Sequence, residues 1–130
     1  MTEPRWIDTR ALLLLHDEDL TEHGGLPGLR DEGLLDSALT RPLNLLAYGE
    51  PSMAALAAAY AFGIARNHPF VDGSKRAALL SIGLFLAINE ISFRPDKVEA
   101  TQVFLALAAG EISEEELGAW VGRNSTKRER

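Results

Sequence analysis

Residues 52–90 read "SMAALAAAYAFGIARNHPFVDGSKRAALLSIGLFLAINE", two long apolar runs parted by a short polar stretch. The first run is dominated by alanine, the strongest helix former. Its small side chains also let neighbouring helices approach closely, so it reads as the central helix. Pro69 stops it. The second run, 75–90, reads as another buried helix. Two such helices in succession, with no alternating strand pattern between them, make the protein all-α.

Outward from this pair the chain continues as helices and short connections. Residues 7–19 carry Ile7, Ala11, Leu14 and Leu15 at helical spacing, with Asp8 or Thr9 as N-cap. "TEHGGLPGLRD" (21–31) reads as an ordered loop. Asp31 can cap a helix whose apolar face holds Leu34, Leu35, Ala38 and Leu39 and which Pro42 ends or bends. Residues 43–49 form a less regular segment. After the central pair, Arg94 and Pro95 mark a turn, and Asp96 caps a helix through Leu107. "GEISEEELGAWV" gives a last helix with Ser113 and Glu116 spaced as a capping box. The expectation is an orthogonal bundle of six to seven helices in a single domain over 1–123. A polar tail, 124–130, is expected to be frayed.

With 130 residues, 46% of them hydrophobic, the chain can bury a real core without staples. It has no cysteine, which removes disulfides and thiolate metal sites and suits a reducing cytoplasm. Its net charge of −6 argues against a broad nucleic-acid surface. Met53–Ala65 is too short to span a bilayer, and the N-terminus lacks the apolar core of a signal peptide. A cytoplasmic protein with no membrane contact and no direct nucleic-acid partner is expected.

The polar stretch "HPFVDGSKR" (68–76) holds more chemistry than a turn requires. Gly73 permits backbone angles that aim successive amides into one concavity. Ser74 can cap the second helix, whose N-terminus attracts an anion. Lys75 and Arg76 stand at the wrong end for the helix dipole, a cost that a bound phosphate would offset. Asp72 beside phosphates is a natural holder of Mg²⁺. A histidine titrates near neutral pH, so His68 can take a proton from an attacking hydroxyl. Phe70 is the inward anchor, and Arg66 could add a phosphate contact. Each residue alone has a plainer reading: a helix-end hydrogen-bonder, a turn, a cap, a solvated face. Only their combination points to phosphoryl or nucleotidyl transfer. "HDED" (16–19) reads as a solvated helix end, His23 as a loop residue without a partner, and Trp6 and Trp120 as packing residues.

"HPFVDGSKR" resembles the Fic/Doc motif HxFx[DE]GN[GK]R at His68, Phe70, Asp72, Gly73, Lys75 and Arg76. The lysine before the last arginine resembles the Doc (death-on-curing) branch, where ordinary Fic proteins have glycine. "LHDEDLTEHGGLPGLRDEGLLDSAL" (15–39) and "GEIS" (110–113) are also similar to Doc proteins. The resemblance implies a Fic fold and the toxin of a toxin–antitoxin pair. It implies transfer of the γ-phosphate of ATP to a threonine of elongation factor Tu, with His68 as base and Asp72 on Mg²⁺. Gly73, Lys75 and Arg76 would then contact phosphates. It also implies a Phd-like antitoxin whose C-terminal segment folds into a groove, for which the N-terminal helices are the expected walls.

One residue departs from the motif: Ser74 stands where the family has asparagine. Losing a transition-state donor costs roughly 3 kcal/mol, so Ser74 implies a slower enzyme. The inhibitory motif [ST]xxxE[GN] of many Fic proteins is missing, the nearest match being Ser125 to Glu129 followed by Arg130. Three function classes follow: a Doc-type protein kinase, a Fic-type AMP transferase, and an attenuated protein acting mainly through its antitoxin.

Overall fold

A computed structural model describes residues 3–128. Among them the chain order is α1 (Thr9–His23), α2 (Glu32–Ala47), α3 (Met53–Asn67), α4 (Ser74–Ile88), β1 (Ile91–Phe93), α5 (Lys97–Ala108), α6 (Glu114–Arg123) and β2 (Ser125–Lys127). Six helices and one two-stranded sheet make this an all-α fold, as expected.

α3 is the axis of the molecule and packs against α2, α4 and α6. Leu56, Ala57, Ala58, Ala59, Tyr60, Ala61, Gly63, Ile64 and Ala65 are all buried along it. The small residues set the distances. A Cβ on Gly63 would lie 3.1 Å from Ala38 Cα of α2, and one on Gly118 of α6 would lie 3.7 Å from Ala55 Cα. Larger side chains fill the remaining space: Phe85 and Tyr60 tilt together at 5.3 Å, and Trp6 stacks on Phe85 at 6.1 Å. Trp120 lies edge-on to Phe93 and Phe104.

Local signals placed most helix starts. Asp8, Asp31, Ser52, Asp96 and Ser113 all accept an amide of their first turn, and Ser113 with Glu116 completes the capping box. Three expectations need correction. Pro42 neither ends nor interrupts α2, which runs on to Ala47. The ring is buried, so tertiary packing outweighs the helix bond it removes. The inward face of α1 is Leu12, His16 and Leu20, while Leu14 is 64% exposed. The tail is not frayed from 124, because Ser125–Lys127 pairs antiparallel with Ile91–Phe93. Arg94 N–H donating to Asn124 O and Arg128 N–H donating to Glu90 O extend that pairing. Ser125 of the nearest inhibitory-motif match is therefore a strand residue, and Glu129–Arg130 lie outside the described residues.

Candidate active site

The loop between α3 and α4 is held by a strap, residues 24–31, that runs alongside it. His68 is the C-cap of α3, with φ 47° and ψ 57°. A non-glycine residue in this left-handed region costs roughly 1–2 kcal/mol and needs support. Arg30 supplies it: Nε donates to His68 O at 2.7 Å and Nη2 to Asn67 O at 2.8 Å. A cation here also suits the negative end of the helix dipole. Pro69 O accepts the amides of Arg30 and Asp31, and Val71 N–H donates to Gly28 O, which bridges Leu29 and Phe70 as an antiparallel pair. Phe70 is buried. The His68 side chain is exposed.

Beyond the anchor the chain turns into α4. The Asp72 carboxylate accepts Gly73 N–H at 2.9 Å and Leu26 N–H at 3.3 Å. Gly73, at φ 75°, is the N-cap of α4, and no side chain caps that end. Ser74 therefore does not cap the helix. It is already the first helical residue, buried, and from there its hydroxyl cannot reach the amides a cap serves. The first helical bond to the cap is Ala77 N–H to Gly73 O. The amides of Ser74, Lys75 and Arg76 precede it and are left for an anion.

The two cations of this turn have different surroundings. Arg76 Nε lies 2.5 Å from Asp19 Oδ2, and its Nη2 donates to Gly24 O at 3.0 Å. Arg76 thus finds its counter-charge inside the protein, on α1, and does not depend on a bound phosphate. Lys75 is exposed and makes no ion pair among the described residues. Arg66 is not part of the cluster. Its guanidinium lies 5.3 Å from the Phe62 ring, which also takes Arg41, and it lines a cleft of about 620 Å³ with Ser37, Arg41 and Glu114.

α1 supplies what the reading of "HDED" missed. Asp19 pairs with Arg76 and with His23, 3.2 Å away, so neither is a free surface group. His16 is buried, and its ring sits 3.9 Å from that of Phe70. Neither ring nitrogen has a hydrogen-bond partner. Burial pushes its pKa down, opposed by Asp17, by Asp19 and by the backbone of Asp72, while Arg76 adds to the lowering. The spacing 12, 16, 20 was the available signal, because it places His16 between two leucines on one face.

No three His, Cys, Asp or Glu side chains among the described residues form a metal cage. Mg²⁺ held by one carboxylate and substrate phosphates needs none. Asp72, exposed and with lone pairs beyond its two amide bonds, fits that kind of holding.

A helical bundle with an HxFxDG loop over an uncapped helix N-terminus defines the class, a Fic-fold protein. The profile of the Fic/DOC family matches residues 6–86, more than half of the chain. "Protein kinase doc" of Escherichia phage P1 is 36% identical over 110 residues, covering 84% of this chain and 86% of that protein. "Toxin Doc" of Mycolicibacterium smegmatis is 42% identical over 76 residues, 56% of this chain and 58% of that protein. The chain belongs to the Fic/DOC family.

Proposed function

We propose that the chain is a Doc-type toxin and protein kinase that moves the γ-phosphate of ATP to a threonine hydroxyl of elongation factor Tu, blocking translation. The observation that carries this reading is the uncapped start of α4, with three free amides and Lys75 beside exposed His68 and Asp72. A phosphate chain suits such a helix N-terminus. The name of the phage relative, a protein kinase, supports the same reaction. The threonine oxygen would attack the γ-phosphorus while His68 takes its proton, and the bond to the leaving ADP would break. Asp72 would hold Mg²⁺, which when bound neutralises phosphate charge. Gly73, Lys75 and the first α4 amides would orient the phosphates. Arg76 would act from its brace on Asp19, and Arg66 would lie outside the phosphate site.

Ser74 favours the slower, attenuated variant of this reading, since its hydroxyl makes no hydrogen bond among the described residues and replaces an amide donor. The toxin would be restrained in the cytoplasm by a Phd-like antitoxin. Besides the N-terminal helices, a cleft of about 450 Å³ between α4 and α5, lined by Leu79, Phe104 and Leu105 and edged by Lys75 and Lys97, could take an amphipathic helix of that antitoxin. No helix among the described residues is long and apolar enough to cross a membrane.

The test is ATP labelled at the α or the γ position, with Mg²⁺ and purified elongation factor Tu and with His68→Ala as control. Label from the γ position alone supports the kinase. Label from the α position overturns it in favour of AMP transfer.

A further inference from the structure

The ring of His16 lies under the loop at the point where its anchor and its anion-binding turn meet. On one side is Phe70, at 3.9 Å between ring centroids. On another is Gly73, where an added Cβ would come 3.0 Å from His16 Cε1. The ring is 1% exposed, and both of its nitrogens lack a partner. A buried polar atom without a hydrogen bond destabilises a fold, and phenylalanine or leucine would fill this space without that cost. Packing alone therefore explains the ring but not its nitrogens. Cε1 lies between the two nitrogens, so its close approach to Gly73 brings the ring against the Asp72–Gly73 peptide, whose carbonyl is an acceptor that a ring N–H could serve.

We propose that His16 is a positioning residue of the active-site loop: its ring props Phe70 and Gly73 apart from α1, and a small shift of the loop would let its unpartnered ring N–H donate to the Asp72 backbone carbonyl, fixing the Asp72–Gly73 peptide. Its effect on the reaction rests on the kinase reading above. Its effect on the loop does not. Fixing that peptide sets both the direction of the Asp72 carboxylate and the entry of the chain into α4. A small rotation there would move a metal-holding oxygen and the first anion-binding amide together. His16 touches no reacting atom and acts only through the loop.

The test compares His16→Phe and His16→Leu with the unaltered protein. Three quantities are read: the melting temperature, the exchange rate of the Gly73 amide by NMR, and the Mg²⁺ concentration giving half-maximal transfer from ATP. The expected result is an equal or higher melting temperature in at least one variant. In that variant Gly73 exchange should be at least fivefold faster and the Mg²⁺ requirement severalfold higher. If exchange and Mg²⁺ requirement match the unaltered protein, or change only in step with a lower melting temperature in both variants, His16 is a space-filler and the proposal fails. Absence of transfer by the unaltered protein counts against the kinase reading alone, since amide exchange needs no turnover and still decides the role of His16.

Discussion

Replacing Arg30 by alanine removes both hydrogen bonds that close the end of α3 on the strap. Hydrogen bonds to a charged group contribute roughly 1.5–3 kcal/mol when shielded. These two are solvent-exposed, which reduces each to about 1 kcal/mol, or about 2 kcal/mol together. Unfolding entropy near ~2.1 cal/mol/K per residue gives about 270 cal/mol/K for 130 residues, so the melting temperature should fall by about 7 °C. Arg30→Lys keeps a cation at the helix end but loses the planar fork, and should lose about half as much. The functional effect is separate. His68 holds a conformation that costs roughly 1–2 kcal/mol, and without the brace the loop should leave it most of the time. Transfer measured well below the melting temperature should then drop about five- to thirtyfold. Circular dichroism melts and γ-label transfer at 25 °C are the assays. Unchanged melting in Arg30→Ala would show that water replaces the two bonds without loss. A lower melting temperature with full transfer would refute the claim that Arg30 organises His68.

Two glycine substitutions should move stability in opposite directions. Gly63→Ala forces a Cβ to 3.1 Å from Ala38 Cα and should destabilise by about 1–3 kcal/mol, whereas Gly83→Ala in α4 meets nothing within 4 Å and should stabilise by about 0.5–1 kcal/mol; denaturant melts of both check this. Because the pKa of His16 is lowered on folding, the unfolded chain binds more protons, so stability should fall as pH drops below about 6.5, until the pH passes the lowered folded value. Melts between pH 7.5 and 5 should show a flatter profile for His16→Phe, which retains His23 and His68. Asp19→Asn should leave Arg76 without its counter-charge and weaken the tie between α1 and α4, lowering the melting temperature, with double-mutant analysis against Arg76→Ala giving a positive coupling. Ser74→Asn should raise transfer at least tenfold, with 10²–10³ as the order-of-magnitude ceiling for one restored donor; equal rates would show that Ser74 is not attenuating.

What the sequence disclosed follows from how local each signal was. The caps at Asp31, Asp96 and Ser113 bond amides three residues away, and all three were legible. The histidine, the aspartate and the glycine of the loop could be read together because nine consecutive residues carry them. The strap could not be read, since Arg30 meets His68 across 38 residues and nothing in either segment announces the pairing. α1 was misjudged because a polar side chain, His16, occupies a core position between Leu12 and Leu20. Pro42 was misjudged because its burial is decided by neighbouring helices, and Ser125–Lys127 because three polar residues are too few to show alternation.

The packing of α3 also orders events in time. Every residue of the candidate site lies at or before Arg76, yet α3 also packs against α6, whose Leu117, Trp120 and Val121 are buried. During synthesis the site's residues leave the ribosome tens of residues before the helix that completes the core beneath them. Until α6 emerges, the side of the central helix that carries Ala54, Ala55 and Ala58 lacks this partner and the core is incomplete. Competence at the site would thus arrive late, after the ribosome has made nearly all the described chain.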